Sequence, residues 1–267
     1  MNDELRTGTA RPLLFYLAVI SITVLAACST QGPPQLKYHP IEVKNGGSVS
    51  GNVRFSGSRP EAAPIIIEKD RDVCGALHTN PAAPGNGDGI RGAIVYLDTI
   101  TAGKPFDLPL SSTLDQKGCE FIPHVQVVKA GAVITVSNSD KVLHNAHFWL
   151  DIKTNTNIAQ SEGSPPQQVP LNLPGLYTVK CDIHPWMRAF VMAAEHPYFA
   201  VTDSNGHYSL TNIPPGKYTV KVWRDSWTID QLKDATQREY DWRSDYRDQA
   251  PIEIEGSRMD TVNFFLH

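Results

Sequence analysis

The stretch "FAVTDSNGHYSLTNIPPGKYTVKVW" (199–223) limits the fold more than any other feature of the chain. Two turn signals, "DSNG" and "IPPG", cut it into three short runs rich in β-branched and aromatic residues. Asp, Asn, Gly and Pro supply turn conformations that strand formers do not, so this is strand–turn–strand–turn–strand. The same punctuation runs along the chain. "GGSVSGNVRFSG" (46–57) sets Val49, Val53 and Phe55 on one face of a half-buried strand. "APIIIEKDRDVCG" (63–75) reads as a strand entering a turn, and "GAIVYLD" (92–98) as a short buried strand. Residues 116–150 read as strand, glycine turn, strand, polar loop and strand, and "APIEIEGSRMDTVNFFLH" (250–267) closes with two strands joined at Gly256. "NPAAPGNGDG" (80–89) and most of "TNTNIAQSEGSPPQQVP" (154–170) read as loop. The 19 glycines and 20 prolines suit an all-β chain rich in turns. No segment has a βαβ rhythm, which excludes a parallel α/β sheet. A short helix is expected only over "TIDQLKDATQREYDW" (228–242).

The N-terminus sets the expected compartment. Arg6 and Arg11 precede an apolar run from Leu13 to Ala27. A membrane span wants about 20 apolar residues, so residues 1–27 read as a secretory signal outside the fold. Leu25-Ala26-Ala27-Cys28 resembles a bacterial lipobox, which implies a lipid on Cys28, and Ser29 leans towards the outer membrane. Residues 28–45 then read as a tether. The expected location is the cell envelope, on the periplasmic face or outer membrane, held through the lipid. About 240 residues remain, enough for one large or two small domains. A formal charge of −4 gives no reason to expect a nucleic-acid partner.

Three cysteines are left: Cys74, Cys119 and Cys181. In an oxidising compartment spare thiols pair. Either Cys74 and Cys119 form a disulfide while a metal holds Cys181, or Cys181 pairs with one of them and no metal site exists. Spacing leaves both open.

"PGLYTVKCDIHPWMRAFVMA" (174–193) carries the chemistry. Alternation puts Tyr177, Val179 and Cys181 on the core face and Leu176, Thr178 and Lys180 on the other. Cys181 thus ends a strand on its inner side, and His184 and Met187 follow in a tight loop stiffened by Pro185. A thiolate, an imidazole and a thioether arrive at nearly one place. "NSDKVLHNAHFW" offers a second imidazole, from His144 or His147. Two His, one Cys and a weak axial Met form the blue-copper arrangement, whose soft and imidazole donors suit both copper oxidation states. Met192 competes as an axial sulfur but lies in the next strand. His124 beside Cys119 offers too few ligands for a second site.

"YTVKCDIHPWMRA" resembles the copper loop of amicyanin-type cupredoxins in its Cys-x2-His-x2-Met spacing and the proline after the histidine. "KAGAVITVSNSDKVLHNAHF" resembles the upstream half of that fold, and "PGLY" is typical of plastocyanin-like proteins. The resemblance implies a cupredoxin domain over 91–195 with one type I copper ion on His144, Cys181, His184 and Met187. It implies that Asn145 ties the two ligand loops together and that His184 reaches the surface through a docking patch flanked by Pro185 and Trp186. The stretch before Cys119 and the bulky "PWM" depart from the pattern, leaving the axial bond and the potential open.

Residues 196–267 resemble the carboxypeptidase regulatory-like domain, a small transthyretin-like β-sandwich, through "TDSNGHY" and "IPPGKY". That family opens on a strand like "GGSVSGNVRF", so residues 46–90 are expected to supply the first strands of a discontinuous sandwich. "GAIVYLD" fits either domain. The expected fold is therefore all-β: a cupredoxin Greek-key β-sandwich plus a smaller transthyretin-like one. No catalytic grouping is present, so the expectation is a non-enzymatic, lipid-anchored electron carrier between periplasmic redox partners, such as a cytochrome or an oxidoreductase. Copper delivery, or a non-redox scaffold role, is the alternative.

Overall fold

The structure, a computed structural model, describes residues 38–57, 64–67, 69–80, 85–226, 229–232, 240–242 and 245–267. The signal segment 1–27 and Cys28 lie outside the described residues, and no described helix is long and apolar enough to cross a membrane. The protein is all-β; one four-residue helical turn, Arg71–Cys74, is the exception among the described residues.

Two β-sandwiches share the chain. In one, a sheet ordered Phe199–Val201, Ile94–Asp98, Gly216–Arg224, Tyr246–Ile254 faces a second sheet. That second sheet centres on Gly47–Phe55, which pairs with His207–Ile213 on one side and with Met259–Thr261 and Phe264–Leu266 on the other. Val49, Val53, Val95, Leu97, Tyr208, Leu210, Val220 and Phe264 fill the space between them. Alternation explains the central strand, whose inward positions Gly47, Val49, Gly51 and Val53 are all buried. Gly51 is required there, because a Cβ would collide with the Val262 carbonyl of the neighbouring segment.

The other sandwich is inserted between Asp98 and Phe199. Its first sheet runs Gln167–Pro170, Val133–Asn138, Ser111–Gln116, Phe121–Ile122. Its second runs Lys153–Gln160, His144–Leu150, Gly175–Lys180, Arg188–Ala194, Val125–Lys129. Leu114, Ile134, Val136, Phe148, Tyr177, Val179 and Val191 form its core. An apolar seam of Ile94, Phe190 and Trp223 joins the two cores, with Phe190 and Trp223 edge to face at 4.9 Å. Beside it, Arg188 of the insert meets the buried Asp225 of the sandwich at 3.2 Å.

Several sequence expectations change. The domain boundary at 91 falls too early: Ile94–Asp98 pairs with Phe199–Val201 and Gly216–Arg224, so it is a sandwich strand. Its Ile94 faces the seam while Val95 and Leu97 face the sandwich core, which is why its pattern shows no period. Residues 38–45 are not a free tether, since His39–Pro40 pairs in parallel with Ala102–Gly103 and Tyr38 donates to the Lys104 carbonyl at 2.6 Å. The loop expected over 154–170 contains two strands, Lys153–Gln160 and Gln167–Pro170, held by neighbours rather than by their own polar sequence. The helix expected at 228–242 is absent at its described ends, where Ile229–Leu232 pairs with Tyr240–Trp242. The β-favouring Ile, Tyr and Trp at those ends outweigh a brief polar periodicity.

Candidate metal centre

The strand Gly175–Lys180 delivers Cys181 to one end of the insert, and the next strand begins at Arg188. Between them the Met187 N–H donates to the His184 carbonyl at 2.9 Å, and the Cys181 N–H to the Met187 carbonyl at 3.3 Å. This tight closure turns His184 back over Cys181. His144 opens the neighbouring strand His144–Leu150 and faces the same point. The ligand atoms of His144, Cys181 and His184 all lie within 4.8 Å of one another. His144 and His184 have no exposed surface, and Cys181 and Met187 are 2 % exposed.

The hydrogen bonds define the chemistry of this cluster. His144 Nε2 lies 2.9 Å from Asp140 Oδ2, and His184 Nε2 lies 2.8 Å from Asp70 Oδ2. The two Nδ1 atoms face each other at 2.8 Å, and Cys181 Sγ is 3.8 Å from His184 Nδ1. Burial pushes both imidazoles below the ordinary histidine range, with the carboxylates opposing. A neutral ring that gives its Nε2 hydrogen to a carboxylate keeps only a lone pair at Nδ1. Two lone pairs at this distance repel unless a cation sits between them. The cluster therefore fits a metal ion by its donors: two imidazoles, a free thiol, and a thioether packed in the same core.

Asn145 locks the thiol side. Its Oδ1 accepts from the Asp182 N–H at 2.8 Å and lies 3.3 Å from Cys181 Sγ, while Nδ2 donates to Asp182 Oδ2 and Asn157 Oδ1, both at 2.8 Å. It thus joins the strand carrying His144 to the loop carrying Cys181 and His184. Burial raises the Cys181 thiol, and backbone N–H groups of Asn145 and His184 aimed at the sulfur at 3.5 and 3.4 Å pull the other way, favouring thiolate.

Cys74 and Cys119 form a disulfide, and Cys181 is the free cysteine among the described residues. This removes the alternative in which Cys181 is bridged. It also removes Cys119 as a thiolate near Asp140 and His144. His124 turns away to Asp225, Nε2 to Oδ2 at 2.8 Å. His147 contacts Asp182 at 3.0 Å and packs on Trp149, and Met192 packs in the seam between the sandwiches.

The docking patch of Pro185 and Trp186 is corrected. Pro185 is half-buried, but Trp186 is 5 % exposed and donates its indole N–H to the Cys119 carbonyl at 3.1 Å. His184 does not reach the surface, and Asp70 covers its Nε2. Sequence reading missed Asp70 and Asp140. Asp140 stands four residues before His144, a hint without force in a loop; Asp70 lies 114 residues from His184 and gives none.

A family model described as BOS complex subunit NOMO1-like, second beta sandwich domain, matches residues 192–243. No curated protein matches the chain. Among solved structures, the chain is similar to amicyanin from Paracoccus versutus at 20% identity, covering 38% of this chain and 97% of that one, with a TM-score of 0.29. It is similar to the Cu-containing nitrite reductase (NirK) from Thermus scotoductus SA-01 at 23% identity, covering 33% of this chain and 23% of that one, with a TM-score of 0.29. The chain thus spans less than a quarter of that reductase. A purple cupredoxin from Nitrosopumilus maritimus is similar at 15% identity over 31% of this chain and 99% of that one, with a TM-score of 0.26.

Proposed function

We propose that this protein is a type I copper protein that carries single electrons between redox proteins of the cell envelope, without catalysing a reaction of its own. The observation behind this reading is the pair of inward-facing Nδ1 atoms of His144 and His184 beside the buried Cys181 thiol. A copper ion held there by His144, Cys181 and His184, with Met187 as a weak fourth donor, would accept and return one electron. Soft sulfur and imidazole together suit both of its oxidation states, which keeps rearrangement on electron transfer small. The residues around the donors serve that end. Asp140, Asp70 and Asn145 hold the ligand rings and the sulfur in place, and the closed core keeps water from the thiolate. The lipid on Cys28 and the periplasmic side of the envelope belong to the same proposal, which follows the sequence of the first 28 residues. Copper delivery is the weaker reading, because a delivery site must offer its donors to a partner and these three are buried.

Adding Cu(II) to the protein should produce an intense thiolate-to-copper visible band that ascorbate bleaches and Cys181→Ser abolishes. A folded protein that stays colourless with copper rejects the proposal.

A further inference from the structure

We infer that Asp70 and Asp140 are the positioning residues of the two ligand imidazoles, and that the Cys74–Cys119 disulfide sets both carboxylates from a single anchor. The inference rests on the proposed function only in taking His144 and His184 as a metal-holding pair.

Asp70 heads the helical turn Arg71–Cys74, where an aspartate ordinarily accepts from the free N–H groups of the first turn. Its side chain makes no such bond and is given to His184 instead, 2.8 Å from Nε2. Its backbone is left-handed, φ 54°, a conformation rare outside glycine that Asp tolerates better than most. The Asp70 carbonyl accepts from the Val73 and Cys74 N–H groups at 3.0 and 2.7 Å, so the turn fixes the carboxylate relative to Cys74. Across the disulfide, Cys119 is also left-handed, φ 58°. The N–H groups of Gly118 and Cys119 donate to Asp140 at 2.6 and 2.7 Å, and the same Oδ2 that accepts from Cys119 lies 2.9 Å from His144 Nε2. The Cys119 carbonyl takes the Trp186 indole N–H, which adds a third line from the anchor into the ligand loop. One covalent bond therefore joins the supports of His144, of His184 and of the loop between Cys181 and Met187.

The physical consequence is specific. A carboxylate on Nε2 fixes the tautomer, points the Nδ1 lone pair inward and makes it a stronger donor. Two carboxylates behind the imidazoles also favour the more highly charged Cu(II) over Cu(I). Asp70 further seals the His184 edge, so a partner or small oxidant does not meet that ring directly.

The test uses the full chain and two readouts, ring N–H spectra of the metal-free protein and affinity for Zn(II), a redox-inert probe, by chelator competition. In the wild type both histidines should appear as Nε2–H tautomers with slow hydrogen exchange. Asp70→Ala should lose the slow His184 signal and about 10- to 100-fold of Zn(II) affinity, the usual cost of removing such a partner. Asp70→Asn, which keeps an acceptor oxygen without the charge, should recover most of that affinity and shift the copper couple towards Cu(I). The double variant Cys74→Ser/Cys119→Ser should loosen both rings together. An Asp70→Ala protein that holds Zn(II) within twofold of wild type and keeps the His184 signal overturns the inference. If Asp70→Ala does not fold, Asp70→Asn and the wild-type spectra decide, since Nδ1–H tautomers in the wild type also overturn it. The outcomes separate the two claims. A chain that binds Zn(II) as expected but gives no visible copper band retains the Asp70 role and loses the electron-carrier reading; a normal band with an inert Asp70→Ala does the reverse.

Discussion

The two sandwiches bury polar groups in opposite ways. In the sandwich built from the chain ends, three buried hydroxyls find backbone acceptors: Tyr208 reaches the Val262 carbonyl at 2.8 Å, Tyr198 the Asn212 carbonyl at 2.9 Å, and Thr202 the Ile90 carbonyl at 2.6 Å. These bonds close within the fold. In the insert, the outer nitrogens of His144 and His184 are equally well satisfied, but the inner ones face each other and a thiol. The same architecture thus ties hydroxyls to the backbone in one case and gathers metal-type donors at one point in the other. Convergence of these inner donors, rather than burial of polar residues as such, sets the insert apart.

The comparison predicts that a metal ion should stabilise the insert and leave the sandwich's own chemistry untouched. At a thousandfold excess over its Kd, copper should add about 4 kcal/mol to the stability of the folded state. His144→Ala should remove that gain, as read by urea unfolding with and without copper. Equal stabilisation in the variant would place the metal elsewhere. A truncation in the other core should act in the converse way. Phe264→Ala, at a buried sandwich position, should cost about 3–5 kcal/mol in unfolding while leaving the visible copper band unchanged.

A smaller effect concerns His196, buried between Phe199 and Tyr38 and pulled down to about 4 by that burial. The unfolded chain takes up this proton near ~6.5 and the folded chain only near 4. The contribution is therefore complete above ~6.5 and is lost as pH falls towards 4, by about 3 kcal/mol. His196→Gln should flatten the fall in stability between those limits, seen in denaturant midpoints across the range. The smallest effect lies at the Lys221–Asp98 pair, 2.7 Å apart and about a third exposed on both sides. Asp98→Asn should change stability by less than about 1 kcal/mol, with salt reducing the difference further. A larger loss there would mean that the pair holds the sandwich more than an exposed ion pair does.

Much of this was legible in the residues. Turn chemistry and alternation give the all-β class and most strands, because both are local. The spacing of Cys181, His184 and Met187 fixes one side of the site, since a strand end and a short loop leave little freedom. His144 and Asn145 came from the resemblance rather than from spacing. What local pattern does not carry is partner choice at long range. Ile94–Asp98 is apolar towards both cores, so its pattern cannot name its sheet. Lys153–Gln160 is polar and becomes a strand only against His144–Leu150. Asp70 looks like a turn residue, and long-range packing of Ile65 and Ile67 together with the disulfide brings it to His184. The expected docking patch failed for that same reason, because a segment more than a hundred residues upstream covers it.

The central claim is that the facing imidazoles and the Cys181 thiol hold copper as an electron carrier. The visible spectrum during Cu(II) titration tests it most directly. The account predicts one equivalent of copper giving an intense thiolate band, bleached by ascorbate, restored by an oxidant and missing in Cys181→Ser. A folded wild type that takes up no copper, or takes it up without that band, contradicts it.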